Sequence, residues 1–193
     1  MPRPLRADYP GAWHHVMNRA AGHRHIFESD TDRFTFLDAL AAAAERCHLE
    51  VHAYCLMSNH FHLLVRSCAG RLSDGMKFLS GRFTRVTNVR AGRDGPIFRG
   101  RYYSVGVTSD AHLVQACRYI HLNPVVARIV RVPDAWRWSS AAAYMDRGTA
   151  PEWLETRYIV DLFGPANAEE SYRNFMAEGV DVATARFYAD LGW

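Results

Sequence analysis

The chain contains the stretch Val51-His52-Ala53-Tyr54-Cys55-Leu56-Met57-Ser58-Asn59-His60-Phe61-His62-Leu63-Leu64-Val65-Arg66. Two runs rich in Val, Leu, Tyr and Phe, residues 51–57 and 60–66, predict two strands. The connection at 57–59 is short enough for a hairpin, and its asparagine tolerates the positive φ that such turns require. His60 and His62 lie two apart in the second strand, so both imidazoles are expected on one face of the sheet.

Outward from this hairpin, strand and helix patterns alternate. The predicted elements are a strand at 13–19, a helix from a cap at Asp30 or Thr31 to Cys47, the two strands of the hairpin, a helix at about 73–90, a strand at 102–107 and a helix from Asp110. Apolar residues at helical spacing define the first two helices: Phe34, Leu37, Leu40, Ala41 and Ala44 in one, and Met76, Leu79, Phe83 and Val86 in the other.

The order β-α-β-β-α-β is the split βαβ arrangement of ferredoxin-like α+β folds, an antiparallel sheet with helices on one face. The helix from Asp110 is an addition, and it can bring its side chains to the free face of the sheet. Because Pro124 cannot donate a backbone hydrogen bond, that helix is expected to kink or end close to Asn123.

The chain changes character beyond residue 133. Candidate helices at 157–163, 168–178 and 182–191 predict an acidic helical extension. We therefore divide the chain into a domain at 1–132 and a C-terminal extension at 133–193.

Charge is distributed unevenly along the chain. Residues 60–131 carry twelve basic residues against three aspartates, a balance of +9, whereas residues 1–59 come to −1 and residues 134–193 to −5. All but one of the 23 basic residues are arginine, whose guanidinium grips phosphate with two parallel donors. A solvated arginine-rich face would give the same composition, so charge alone does not establish a nucleic-acid partner.

The sequence predicts a cytoplasmic protein. The N-terminus has no apolar run behind its arginines, so no signal peptide is expected, and the longest small-apolar stretch, residues 39–44, is too short to span a bilayer. The four cysteines show no Cys-x-x-Cys spacing and are expected to be reduced thiols without a chemical role.

A second motif, Tyr119-Ile120-His121-Leu122-Asn123, lies within the last predicted helix. Tyr119 and Asn123 are four apart and share one side of the helix, in a polar stripe with His112 and Gln115. The stripe either faces water or meets the histidine pair. A tyrosine attacks only with help from positive charge or a base, because its pKa near 10 leaves about one molecule in a thousand ionised at pH 7.

If the two motifs converge, His60, His62 and the Asn123 amide oxygen could hold a divalent ion beside Tyr119 as nucleophile. Attack on a phosphodiester would need no nucleotide, in agreement with the lack of a Gly-x-x-x-x-Gly-Lys loop. Arginines from Arg82 to Arg101 would then hold the nucleic-acid backbone, and aromatic residues could stack on bases: Phe98, Tyr102 or Tyr103. Two alternatives remain: a metal-dependent hydrolase in which water attacks, and a non-catalytic single-stranded nucleic-acid-binding module.

Three ordered motifs resemble one known family. They are the hairpin stretch at 51–65, Gly95-Pro96-Ile97-Phe98-Arg99-Gly100-Arg101-Tyr102, and Arg118-Tyr119-Ile120-His121-Leu122-Asn123-Pro124-Val125, with a later Trp138-Ser139-Ser140 that also fits. Together they resemble the single-tyrosine transposases of the His-apolar-His class, and most closely the REP-associated tyrosine transposases of bacteria. The resemblance covers roughly residues 10 to 145.

The resemblance implies a ferredoxin-like catalytic domain that cleaves and rejoins single-stranded DNA, often at the foot of a hairpin, through a 5′-phosphotyrosine and a free 3′-OH. By motif, Tyr119 would be the nucleophile and His60 and His62 ligands of Mg²⁺ or Mn²⁺; ligand chemistry alone leaves zinc open. Asn123 stands where the insertion-sequence relatives usually have Gln, which shortens its reach by one methylene. The predicted DNA-binding residues are Arg82, Arg85, Arg90, Arg93, Arg99, Arg101 and Tyr102.

The resemblance also bears on assembly. Insertion-sequence relatives are dimers with shared active sites, whereas the REP-associated branch is monomeric, and the C-terminal extension favours a monomer here. From the −5 balance of that extension, we expect it to pack against the basic domain and restrict access of DNA.

Overall fold

Four antiparallel strands form one sheet in the computed structural model, which describes residues 8–164 and 166–192. The strands are β1 (Ala12–Arg19), β2 (Leu49–Leu56), β3 (His60–Ser67) and β4 (Tyr103–Val107), in the order β2-β3-β1-β4. Both central strands, β3 and β1, are therefore paired on two sides. The short β4 begins one residue later than predicted.

Two long helices cover one face of this sheet. They are α1 (Asp30–Cys47) and α2 (Leu72–Ala91), and their buried residues Phe36, Leu79 and Phe83 form one core with Val16 and Phe61 of the strands. The β-α-β-β-α-β order, the antiparallel sheet and the helical layer confirm the predicted ferredoxin-like α+β fold.

The ends and faces of these helices differ in detail from the prediction. Helix α1 is capped by Ser29, in a capping box with Asp32, rather than by Asp30 or Thr31. Phe34 and Val86, both assigned to apolar stripes, are 51% and 39% exposed. In α2, Met76, Leu79 and Phe83 are buried as predicted, whereas α1 buries Phe36 and Ala43 in addition to the predicted Leu40 and Ala44.

The strand pleat sends alternate side chains to opposite faces of the sheet. Val16, Phe61 and Leu63 point into the α1 and α2 core, whereas Met17 and Leu64 belong to clusters on the other face. That other face receives α3 (Asp110–Val126), as predicted.

Helix α3 begins at the Ser109 cap and continues through Pro124 to Val126. It ends before Arg128, which has a left-handed φ of 58°. Since only two helical residues follow Pro124, its missing donor interrupts the ladder only in the last turn. The predicted break near Asn123 therefore occurs one turn later.

The described residues of the C-terminal part form four α-helices: α4 (Ala141–Met145), α5 (Arg157–Asp161), α6 (Ala168–Ala177) and α7 (Val182–Asp190). Tyr144, Tyr172 and Met176 are buried in one cluster with Ala53 and Cys117 of the preceding part of the chain. The extension is therefore packed onto the sheet and α3, as expected. Its division from residues 1–132 stays a prediction.

Residues between α3 and α4 pair with the edge of the sheet. Leu56 N donates to Trp138 O at 2.8 Å, and Ser140 N donates to Tyr54 O at 3.0 Å. Further along, Glu155 N donates to Val51 O at 2.9 Å. These bonds occupy backbone groups of β2 that an edge strand would otherwise expose to another chain.

Across residues 8–164 and 166–192, no helix combines the length and apolar character needed to cross a membrane.

Candidate active site

The two histidines of the first motif meet the asparagine of the second. His60 and His62 lie on one face of β3, with ring centroids 5.1 Å apart. Asn123, in the last turns of α3, places Oδ1 3.3 Å from His60 Nε2 and Nδ2 3.2 Å from His62 Nε2. The three predicted metal ligands thus converge on one point.

The donor set fits a divalent cation. Asn59 Oδ1 accepts a hydrogen bond from His60 Nδ1 at 2.7 Å, which leaves the lone pair of His60 Nε2 facing Asn123 Oδ1. Two acceptor atoms that face each other without a proton between them are suited to share a cation. Burial lowers the pKa of His60 and holds that of His62 well below 6.5. Both rings are therefore neutral at pH 7, and each can donate a nitrogen lone pair to a metal ion.

The set contains no carboxylate. In the described part of the chain, no three His, Cys, Asp or Glu side chains are grouped so that they could hold a metal. Two imidazoles and one amide oxygen would leave several coordination positions for water and phosphate oxygens.

Tyr119 lies one helical turn before Asn123, and its ring centroid is 5.6 Å from that of His62. The residue is only 9% exposed, and burial raises the pKa of Tyr119 to about 12, against a smaller opposing effect of a hydrogen bond with Asn123. The phenol is therefore protonated at neutral pH in this arrangement. It needs nearby positive charge to act as a nucleophile.

A third histidine, which the sequence did not single out, lies behind this pair. His15 of β1 places Nε2 3.0 Å from His62 Nδ1. It is fully buried, and burial, followed by the charge of His112, lowers the pKa of His15 to about 3. No sequence signal identified it, because the register of β1 against β3 is set by tertiary pairing.

Helix α7 covers the site on the side of Tyr119. Tyr188 stacks its ring on that of Tyr119, with centroids 3.9 Å apart and 22° between the planes. Its hydroxyl lies 2.6 Å from His15 Nδ1. Tyr188 therefore contacts both Tyr119, the predicted nucleophile, and His15, which lies behind the predicted ligand His62.

Arginines border the site on its open side. Arg19 is paired with His60 across β1 and β3, and Arg99 N donates to Arg19 O at 2.9 Å. Two adjoining clefts open here; together they are lined by Asn18, Arg19, Ala20, Gly22, Arg24, Asn59, Arg99, Gly100, Arg101, Tyr103 and Leu191. A basic cleft thus leads to the edge of the histidine pair.

The family model for IS200-like transposases matches residues 9–123, more than half of the chain. The chain belongs to the IS200-like transposase family. It is therefore a transposase-type enzyme, which nicks DNA and rejoins it. No curated protein matches it.

Two solved structures are similar to this transposase. One is a REP-associated tyrosine transposase bound to a REP hairpin, 17% identical with a TM-score of 0.66 over 80% of this chain and 92% of that one. The other is a putative transposase from Deinococcus radiodurans, 18% identical with a TM-score of 0.43 over 67% of this chain and 96% of that one. The first likeness supports the fold described above.

The transposase does not bring all the predicted DNA-binding residues to this site. Arg99 and Arg101 line the cleft, but Arg82 and Arg85 lie on α2, across the sheet, in a groove with Arg71 and other residues. Arg90 forms an ion pair with Asp32, and Arg93 forms one with Glu28 at 2.9 Å. Arg82, Arg85, Arg90 and Arg93 thus lie on the side of the sheet that α1 and α2 cover.

The ring of Tyr102 is also away from the site. The residue is 7% exposed in the core under α1 and α2, and its hydroxyl lies 3.1 Å from Ser73 Oγ. A covered ring cannot stack on a base without leaving the core. The half-buried Tyr103, which lines the cleft, is better placed for that contact.

Arg19 and Arg24 were missed by sequence reasoning. They fall in residues 1–59, whose net charge of −1 gave no indication of a basic surface. The strand end that carries Arg19 becomes part of the cleft only when β1 pairs with β3.

Proposed function

We propose that this transposase is a metal-dependent enzyme of the REP-associated type, which cleaves and rejoins single-stranded DNA near hairpins through a 5′-phosphotyrosine on Tyr119. The observation that carries the proposal is the convergence of His60 and His62 on one amide of Asn123, one helical turn from Tyr119. The similar structure that holds a REP hairpin supports hairpin DNA as the substrate.

His60, His62 and Asn123 would hold Mg²⁺ or Mn²⁺ as the cofactor. When bound, such an ion polarises a phosphate oxygen and supplies the positive charge that a buried phenol lacks. The atom of Asn123 that would bind the ion is Oδ1, which already faces His60. The open coordination positions would be taken by water and by the scissile phosphate.

Tyr119 Oη attacks the phosphorus, and the bond from phosphorus to the 3′-oxygen breaks. The phenol loses its proton, and the departing 3′-oxygen takes one up, so charge is conserved. One phosphodiester replaces another, which makes rejoining possible without a nucleotide. The reverse attack by a 3′-OH on the phosphotyrosine restores the tyrosine and joins the strand.

The basic cleft would hold the backbone of the DNA. Arg19, Arg99 and Arg101 stand at its walls, and guanidinium groups bind phosphate oxygens with two parallel donors. Arg82, Arg85, Arg90 and Arg93 remain proposed contacts, to DNA that passes around α2, whereas the Tyr102 ring would have to leave the core to reach a base. Tyr103 would stack on a base in the cleft.

The transposase would act as a monomer. His60, His62, Asn123 and Tyr119 come from one chain, so no partner is needed to complete the site. Its mass in solution, measured by light scattering with and without hairpin DNA, tests this part of the proposal.

We also propose that the C-terminal extension restricts access to Tyr119. The buried Arg118 of α3 forms ion pairs with Glu178 at 3.2 Å and Asp181 at 3.5 Å, immediately before α7. These contacts support a docked α7 whose Tyr188 covers the nucleophile. A deletion that removed everything after Arg147 would also strip Tyr172 and Met176 from the core, so the test belongs in α7.

The decisive experiment incubates the full chain with end-labelled single-stranded hairpin DNA and Mn²⁺, followed by a denaturing gel. A labelled protein-DNA adduct that disappears with EDTA is the expected result. A free 5′-phosphate without an adduct would indicate that water attacks. Binding that is unaffected by EDTA and gives no cleavage would indicate a non-catalytic module.

A further inference from the structure

Three buried side chains form a hydrogen-bonded series that ends at a predicted metal ligand. Tyr188 Oη lies 2.6 Å from His15 Nδ1, and His15 Nε2 lies 3.0 Å from His62 Nδ1. The residues come from α7, β1 and β3, and they are 1%, 0% and 1% exposed. Water therefore has little access to these ring nitrogens, and their protons are placed by the neighbouring side chains.

The position of one proton decides whether His62 can bind a cation. A neutral imidazole carries a single proton, and only the nitrogen without it has a lone pair to donate. His62 Nε2 faces the Asn123 amide, so it must be the bare nitrogen, and the proton must lie on Nδ1. That proton is donated to His15 Nε2, which places the proton of His15 on Nδ1, where Tyr188 Oη accepts it.

The contact with Asn123 is the observation that sets this tautomer. Asn123 Nδ2 donates to His62 Nε2 at 3.2 Å, and an amide nitrogen cannot accept a proton in return. His60 is arranged in the same way, since Asn59 Oδ1 accepts from its Nδ1 at 2.7 Å. Each histidine thus has a partner behind it that directs Nε2 towards the site.

We propose that His15 and Tyr188 are positioning residues of the metal site, which hold His62 in its Nδ1-protonated tautomer with Nε2 directed at the cation. The inference rests on the proposed role of His62 as a ligand and extends it to a residue of the C-terminal extension, outside the matched residues 9–123. Outer partners of this kind raise metal affinity because they orient a ligand and fix its tautomer.

The test is a Mn²⁺ titration of the full chain, in which electron paramagnetic resonance measures free Mn²⁺. His15→Leu removes the acceptor at Nε2 and is expected to weaken Mn²⁺ binding by about 10- to 100-fold. His15→Gln can return a carbonyl oxygen near the position of Nε2 and is expected to restore most of the affinity. If His15 has only a structural role, His15→Gln places a polar group in the same buried position and is expected to weaken Mn²⁺ binding at least as much as His15→Leu does.

A second pair of variants separates the hydroxyl of Tyr188 from its ring. Tyr188→Phe keeps the ring on Tyr119 but leaves His15 Nδ1 without an acceptor, so His15 and then His62 can shift to the opposite tautomers. We expect weaker Mn²⁺ binding, by a smaller factor than in His15→Leu. Tyr172→Phe is the matched control, because the Tyr172 hydroxyl also bonds a buried histidine, His121, away from the metal ligands; its affinity is expected to equal that of the unaltered chain.

Nitrogen-15 NMR of the imidazoles provides a readout that does not depend on activity. In the metal-free chain, the proton of His62 is expected on Nδ1, and in Tyr188→Phe a share of it is expected on Nε2. A proton on Nε2 of His62 in the unaltered chain would overturn the inference.

The outcomes distinguish this inference from the proposed function. If His62→Ala leaves Mn²⁺ binding unchanged, His62 is not a ligand and the proposed metal site fails. If His62→Ala abolishes binding while His15→Leu binds as tightly as the unaltered chain, the metal site stands and only the positioning role fails.

Discussion

Tyr188 lies flat on Tyr119, with the two ring centroids 3.9 Å apart, so the predicted nucleophile is covered by a residue 69 positions later in the chain. Burial raises the pKa of Tyr119 to about 12, so its phenol is protonated at neutral pH. If the extension restricts access as proposed, a DNA strand reaches Tyr119 only when α7 moves aside.

Removal of the covering ring is expected to speed cleavage. A stacked aromatic pair contributes about 0.5–1.5 kcal/mol beyond its buried area, so Tyr188→Ala raises the rate of adduct formation by about 2- to 10-fold. The rate is measured at saturating Mn²⁺, so that a change in metal affinity does not contribute. A rate below that of the unaltered chain would contradict the covering role.

A milder variant loosens α7 without touching Tyr188. Asp181 caps this helix by accepting from Thr184 N at 2.9 Å, and loss of such a cap costs about 1 kcal/mol. Asp181→Ala is therefore expected to raise adduct formation several-fold. Asp190→Ala removes the same charge from the other end of α7, where no cap is lost, and is expected to leave the rate close to that of the unaltered chain.

Tyr119→Phe is expected to abolish the covalent adduct while DNA binding stays within about twofold, because the phenol contributes to chemistry and little to affinity. Adduct formation is followed on denaturing gels and binding by fluorescence anisotropy. Tyr103→Phe serves as the control and is expected to form the adduct. An adduct in Tyr119→Phe would assign the nucleophile to another tyrosine.

The cleft arginines are expected to determine the salt dependence of DNA binding. Each phosphate neutralised on a single strand contributes about −0.7 to the slope of log K against log salt concentration, so Arg99→Ala and Arg101→Ala each flatten that slope by about 0.7. The slope comes from binding titrations at several salt concentrations. The slope of Arg82→Ala is compared with theirs. An equally flattened slope would indicate that the DNA also contacts α2, and an unchanged slope would indicate that the DNA contacts only the cleft.

Stability is expected to fall as the pH falls below 6.5. Burial lowers the pKa of His15 and of His121 to about 3, so the folded chain keeps them neutral while the unfolded chain takes up a proton at each from about pH 6.5 downwards. The free energy of unfolding therefore decreases by about 1.4 kcal/mol per pH unit for each of them.

Urea unfolding between pH 7.5 and 5 measures this slope. His121→Gln is expected to reduce it by the contribution of one proton. An equal slope in His121→Gln would show that the folded chain protonates His121 as readily as the unfolded chain does.

The sequence predicted the sheet and the helices well because their patterns are local. Alternation with a period of two placed His60 and His62 on one face, and the i,i+4 spacing brought Tyr119 and Asn123 to one side of α3. Contacts that depend on tertiary pairing carried no local signal. The position of His15 behind His62, of Arg19 beside His60 and of Tyr188 over Tyr119 follow from strand register and from helix docking.

Burial of single loop residues was equally hard to predict. Tyr102 precedes β4, and its sequence neighbours do not show that its ring turns under α2 to meet Ser73. Ion pairs between distant residues were also hard to predict: Arg90 and Arg93 pair with acidic residues that lie about 60 residues earlier in the chain. A count of charges along the sequence treats such paired arginines as available for phosphate.

Backbone bonds from residues 138–140 and 155 to β2 anchor the first part of the extension, whereas α7 is held by side chains, with Tyr188 on Tyr119 and Asp181 paired with Arg118. The part up to Met176 also supplies Tyr144, Tyr172 and Met176 to the buried cluster, so these residues cannot detach without breaking the fold. After it comes Gly179, with a left-handed φ of 80°, and then α7 with Tyr188. A switch for this transposase would therefore act on α7, and a protein or DNA segment that captures this helix would uncover Tyr119 and at the same time withdraw the Tyr188 hydroxyl from His15.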